Sequence, residues 1–255
     1  MFAEKNSRLR KWLPLSFSLR FLFGNFRILL WSLALILVTA LLTWAGYLLT
    51  VDLVNGLLGD FFQQAPDRAG IIGWFQLQGW QLLKILFLLI SRVIAFYLAF
   101  LLAYTLTAPG YAFLSNAVEK RYLGDKFSDD IFTWSVVLQD LLEGCKIAFF
   151  GVLVTVAAIF LNFLPLLGSV LVVFLYIFYS TLMLIDYPAS RRHLSLGEKL
   201  GWLKKHWFKA LRLGWMPALI SMIPVVNIFL LALFFPLFAV HATLNYVITV
   251  NPERE

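Results

Sequence analysis

The chain has 255 residues, of which 61% are apolar, 17% aromatic and only 14% charged, with a net charge of +7. A soluble domain is ~45–50% apolar and about 25% charged, so this composition excludes a disordered chain and argues against a water-soluble globule. Roughly four to six membrane helices of ~20 apolar residues fill the length, which leaves no room for a soluble catalytic domain.

Residues 1–27 form a basic amphipathic arm, with Lys5, Arg8, Arg10, Lys11, Arg20 and Arg27 interleaved with Trp12, Leu13, Leu15, Phe17, Phe21 and Phe26. This pattern predicts a helix lying on the membrane surface, started by Pro14 and ended by Gly24-Asn25. Residues 28–50 carry no charge and form the first predicted span. Residues 51–80 are expected as a loop, with Trp74 and Trp80 at headgroup level. Residues 82–107 form the second span and contain Lys84 and Arg92. Lys84 can snorkel to the interface. Arg92 lies deeper, so it is expected to face protein or water, either as a buried structural pair or as a pore residue.

Residues 108–146 are polar and mixed, and their first part has the spacing of a helix that continues the second span. Glu119 and Arg121 sit two apart there and so do not face each other. They read either as a solvated face or as a charged pore entrance. Residues 147–185 and 213–250 are two nearly uncharged stretches separated by a basic segment, 186–212. One is broken at Phe163-Leu164-Pro165-Leu166-Leu167-Gly168 and the other at Met222-Ile223-Pro224-Val225-Val226-Asn227, with further breaks expected at Pro217 and Pro236. The two breaks lie 59 positions apart and share one pattern.

These stretches predict two helical hairpins. The arm from Leu213 to Ile223 is about 16 Å long at ~1.5 Å per residue, short of the ~30 Å hydrocarbon core, so the second hairpin is expected to enter and turn back. The first is expected to do so by analogy. Tips at Pro165, Gly168, Pro224 and Asn227 need shielding from lipid. Two readings stand for them: half-helix ends that favour an anion at the midplane, or tight turns in a packed bundle.

The basic balance fits cytoplasmic loops. The arm carries six Lys/Arg, segment 108–146 four and segment 186–212 seven, against one in 51–80. The N-terminus is therefore expected in the cytoplasm. No basic run is interleaved with aromatics on a polar segment, so no nucleic-acid partner is expected. The single cysteine, Cys145, excludes an internal disulfide. His193, His206 and His241 are scattered, so no metal or cofactor is expected. No nucleophile elbow, P-loop or paired intramembrane acids point to an enzyme.

Thr107-Ala108-Pro109 with Leu114, Glu119, Arg121 and Gly124, then Pro165-Leu166-Leu167-Gly168, Asp186-Tyr187-Pro188, Met222 to Asn227, and Pro236 with Ala242-Thr243 resemble the CysZ sulfate permeases, which belong with the etoposide-induced membrane proteins. The resemblance runs from about Phe21 to Tyr246. It implies an all-α integral membrane protein with two long transmembrane helices, two hemi-penetrating hairpins and an oligomeric assembly. It also implies sulfate uptake across a bacterial inner membrane for cysteine synthesis. By the same resemblance, a Gly-x-Arg-Arg-like stretch contacts sulfate. Here that stretch is Gly24-Asn25-Phe26-Arg27, with one arginine, and a glycine near the C-terminus is replaced by His241.

Gly24, Asn25 and Arg27 are thus the candidate anion contacts, with Gly24-Asn25 expected to present backbone N–H groups in a nest. A guanidinium fork suits an acceptor-only oxyanion. The competing reading of Arg27 is an anchor on lipid phosphate. Arg92, Glu119 and Arg121 are the candidates for a charged path. His241 is expected as a satisfied bundle histidine. A non-transporting scaffold of the same fold stays open as the alternative function.

Overall fold

The computed structural model describes residues 12–63, 71–124, 127, 134–165, 167–192, 194–223 and 226–250. Among them are eight helices: α1 Leu15–Gly24, α2 Phe26–Gln63, α3 Ile71–Leu123, α4 Trp134–Leu161, α5 Leu167–Ser190, α6 Leu196–Lys205, α7 Trp207–Ser221 and α8 Val226–Val250. Lys5, Arg8, Arg10, Lys11, His193 and Pro224 lie outside the described residues.

The protein is a multi-pass membrane protein. Five helices, α2, α3, α4, α5 and α8, are long and apolar enough to cross a bilayer. Their outward faces carry Leu30, Leu33, Leu49, Ile85, Leu89, Phe149 and Phe160, all exposed, as a lipid solvent requires. α2 has 38 residues and α3 has 53. At ~1.5 Å per residue they are about 57 and 80 Å long, well beyond a ~30 Å core. α7 has 15 residues, about 22 Å by the same rise, and falls short of crossing.

The chain divides into two compact units, residues 39–104 and residues 1–38 with 105–255. In the smaller unit, the second part of α2 packs antiparallel on the first part of α3. Gly46 approaches Ala99, the Tyr47 ring meets Phe96 edge-on at 5.8 Å, and Val51 and Val54 lie across from Leu88, Ser91 and Ala95.

The larger unit is built around α8, whose residues 235–247 are buried. Its centre is a trio of rings, Tyr111 from α3, Tyr187 from α5 and Phe235 from α8, with centroids 4.9–5.9 Å apart. α5 and α7 cross where Gly214 leaves no room for a Cβ beside the Ile177 carbonyl. The Thr181 hydroxyl sits in the same crossing, 2.6 Å from the Ala210 carbonyl and 3.0 Å from that of Ile177.

Several expectations need correction. The stretch 51–80 is mostly helix, through Gln63 and again from Ile71, because its glycines and glutamines interrupt the apolar pattern without breaking a helix. As the spacing of 108–124 predicts, the second span continues in one helix to Leu123, closed by Gly124 at φ 60°, the left-handed position that favours glycine. Pro109, Pro188, Pro217 and Pro236 all sit inside helices. Each removes one backbone donor without ending the helix. Asp186 lies inside α5. Pro14 occupies the N-cap of α1.

Candidate functional site

Three polar clusters stand out in this apolar molecule, all in the larger unit. The first is the break between α1 and α2. Asn25 alone is non-helical there, at φ −123°, ψ 93°. An N-cap asparagine ordinarily accepts from the amides of the following turn. Asn25 instead accepts from Arg121 Nε at 2.7 Å and donates Nδ2 to the Phe21 carbonyl at 2.6 Å. The first α2 amide to find a carbonyl is that of Leu29, on Asn25 O at 3.0 Å. The amides of Phe26, Arg27 and Ile28 are left to other partners. Arg27 and Arg121 are both exposed.

Sequence reasoning placed Gly24, Asn25 and Arg27 together and put Arg121 elsewhere; the fold brings Arg121 onto Asn25. Gly24 does not form a nest, because it is the last helical residue of α1 and its φ is not positive. A Cβ there would meet nothing within 4 Å.

The second cluster surrounds Glu119, which is 3% exposed and not on a solvated face. Its Oε1 accepts from Arg192 Nη2 at 3.0 Å. Arg191 Nη1 lies 3.1 Å from Oε2, close enough to pair by charge but off the line of a hydrogen bond. The Arg192 guanidinium also donates to the Pro188 carbonyl and lies 5.3 Å from the Tyr246 ring centre. Glu119 and Arg121 therefore serve different partners, as their spacing predicts.

The third cluster is a buried ionic chain. Lys199 of α6, with no exposed side-chain surface, lies 2.6 Å from Asp186 in α5 and 3.5 Å from Glu143 in α4. Glu143 in turn holds Lys146 at 2.5 Å. This cluster was missed in the sequence. One signal was present: Leu196, Lys199 and Leu203 fall on one helix face, which sets a lysine on the apolar side.

Other predicted residues take different roles. Arg92 is exposed, lining a crevice of about 10 Å³ with Val51, Val54, Leu88, Ser91 and Ala95. That is roughly the room one water needs.

At the first hairpin tip, the amides of Leu167 and Gly168 bond to the carbonyls of Pro165 and Leu164 at 2.7 and 3.0 Å. At the second, the Asn227 amide bonds to Ile223 O at 3.0 Å and its Nδ2 to Ser221 O at 2.8 Å. These turns use donors that an anion at the tips would need. Gly168 has a packing reason, since its Cα leaves no space for a Cβ against Leu161 O. His241 is a satisfied bundle histidine, with Nδ1 2.9 Å from Ser18 Oγ and its ring edge-on to Trp12.

Comparison with known proteins gives the chain a family. Residues 15–242 match the family described as Sulfate transporter CysZ/Etoposide-induced protein 2.4. The chain belongs to this family. Its description names a transporter and not an enzyme. Among curated relatives, Sulfate transporter CysZ of Pseudomonas paraeruginosa is 30% identical over 171 residues, covering 64% of this chain and 67% of the relative. The protein of the same name from Pseudomonas aeruginosa is 30% identical over 151 residues, 56% of this chain and 61% of the relative. That of Pseudomonas syringae pv. tomato is 28% identical over 154 residues, 57% and 60%. The chain thus spans about three fifths to two thirds of the length of these relatives.

Proposed function

We propose that the chain is an oxyanion permease of a bacterial inner membrane that carries sulfate for sulfur assimilation. The observation that carries this reading is the 2.7 Å bond from Arg121 to Asn25. It sets a second guanidinium beside the helix start that bears Arg27, where the sequence offers one arginine.

Sulfate accepts hydrogen bonds and donates none at neutral pH, so it is held by N–H donors and cations. Arg27 lies in the first turn of α2, at the positive end of the helix dipole. A cation is unfavourable there by itself, and an anion between the dipole, Arg27 and Arg121 removes the conflict. Asn25 keeps Arg121 in place. Gly24 ends α1, and the chain turns at Asn25.

The two hairpins are read as re-entrant. Phe163 is 78% and Leu167 71% exposed, and Met222, Ile223 and Val226 are also exposed. A turn that had crossed into water would carry polar residues, whereas these apolar tips belong in hydrocarbon or against protein. Arg92 sits exposed in an apolar helix, so a second copy or a water-filled path covers it. We read the functional protein as a homo-oligomer. Lipid surrounds it, and the basic N-terminal side faces the cytoplasm.

Equilibrium binding of sulfate to purified protein tests the site. Arg27→Ala and Arg121→Ala should each weaken binding by about 10- to 100-fold, the loss expected for a charge-assisted contact of ~1.5–3 kcal/mol. Unchanged affinity in both variants places the site elsewhere.

A further inference from the structure

Lys199 has no role in the proposed anion site, yet its setting asks for one. It occupies the apolar face of α6 between Leu196 and Leu203, while Lys204 and Lys205 on the same helix are exposed. Its ammonium is wholly buried between two carboxylates on two different helices, Asp186 Oδ1 at 2.6 Å and Glu143 Oε2 at 3.5 Å. Ser190 Oγ adds a bond of 3.3 Å to Asp186, and Lys146 engages the other side of Glu143.

Packed apolar residues of similar volume often stabilise as well as a buried ion pair or better. Stability alone therefore does not call for a lysine here. Geometry gives a reason. Asp186 and Glu143 lie at the base of the two arms of the first hairpin, α5 and α4. One ammonium with three donors holds both at once and fixes their separation, whereas apolar surfaces can slide.

The arms beyond this point are long. From Asp186 to Leu167 the helix runs about 28 Å at ~1.5 Å per residue, so a tilt of about 10° at the base moves the tip by roughly 5 Å. α6 also leads directly into α7, the short arm of the second hairpin, with His206 alone between them. Any shift of α6 is passed to α7.

We propose that Lys199 is a positioning residue for transport: its ammonium pins the bases of both arms of the first hairpin to the helix that leads into the second, and so holds the two tips at one separation. The flux consequence rests on the transport reading; the tip separation rests on the geometry alone.

The test uses full-length protein in a Cys145→Ser background, with spin labels attached through Phe163→Cys and Ile223→Cys. Lys199→Gln combined with Asp186→Asn removes the bridge without stranding a buried charge, and Glu143 keeps Lys146. The melting temperature of this double variant controls for folding. The parent should give one narrow label–label distance, and the double variant a broadened one. Maximal sulfate uptake into liposomes should fall by roughly 5- to 150-fold, the usual scale of coupling between sites, with the equilibrium affinity for sulfate unchanged. An unchanged distance distribution overturns the proposal whatever the flux. Loosened tips with uptake at the parent rate overturn the role in transport. A parent protein that carries no sulfate removes the transport reading and leaves the distance test intact.

Discussion

Among single side chains, the pairing of Asn25 with Arg121 changes what the N-terminal region can do. Gly24 has open space where a Cβ would go and an ordinary helical backbone, so Gly24→Ala should bind sulfate like the parent protein. Asn25→Ala should lose affinity by releasing Arg121, which a titration with sulfate measures. Arg27 was legible as a candidate because it follows a helix break. Arg121 was legible as a charge but not as its neighbour, since 96 residues separate it from Asn25 and no local pattern encodes that contact. The same holds for Glu119, whose partners Arg191 and Arg192 lie 72 and 73 positions away. Gly214 shows how packing constrains a position that spacing leaves open. Gly214→Ala forces α7 off the Ile177 carbonyl and should destabilise the protein by about 1–3 kcal/mol, seen as a lower melting temperature in detergent.

The helices differ in how openly the sequence states them. The two helical breaks were readable, because each apolar stretch carries a proline with a turn residue close by near its middle, and the described non-helical residues fall at 162–165 and 222–223. The extent of α3 was not, since glycine and glutamine near its start suggest a loop and yet lie within the helix. α6 hides in a basic segment but carries a full capping box: Ser195 Oγ accepts from the Glu198 amide, and Glu198 accepts from the Ser195 amide.

Ser195→Ala should lower stability by about 0.5–2 kcal/mol. The Ser195 hydroxyl, and then its backbone N–H, hold the Glu198 carboxyl below its ordinary 4.5. At the α6–α7 junction, burial holds the His206 imidazole below its ordinary 6.5, against the pull of its bond to Trp202 O, and Lys209 and Lys205 add to the depression. Both groups therefore stabilise the fold above their unfolded values and lose that contribution as pH falls through the lower folded ones. The His206 contribution is the first to go on acidification from neutrality. Melting temperature should drop between about pH 7 and 5, the range in which histidine titrates, and His206→Gln should flatten that drop.

For the molecule as a whole, composition announced the solvent before any element was placed. A chain with 61% apolar residues cannot hide them, and the exposed Leu, Ile, Phe and Trp of α2 to α5 are the outcome. What composition could not announce is the internal ionic scaffold, Asp186–Lys199–Glu143 and Glu119 with its arginines, because buried charges are few and look like loop residues in a one-dimensional reading. In the account offered here, that scaffold positions two apolar-tipped hairpins, and a pair of guanidiniums at the α1–α2 break collects the anion.

Radiolabelled sulfate uptake into liposomes containing the purified protein tests this most directly. The parent should load vesicles well above empty ones. The combined Arg27→Ala/Arg121→Ala variant, inserted to the same level and equally stable, should fall to the background of protein-free vesicles. Uptake by that double variant at the parent rate, or no uptake by the parent at all, would contradict the account.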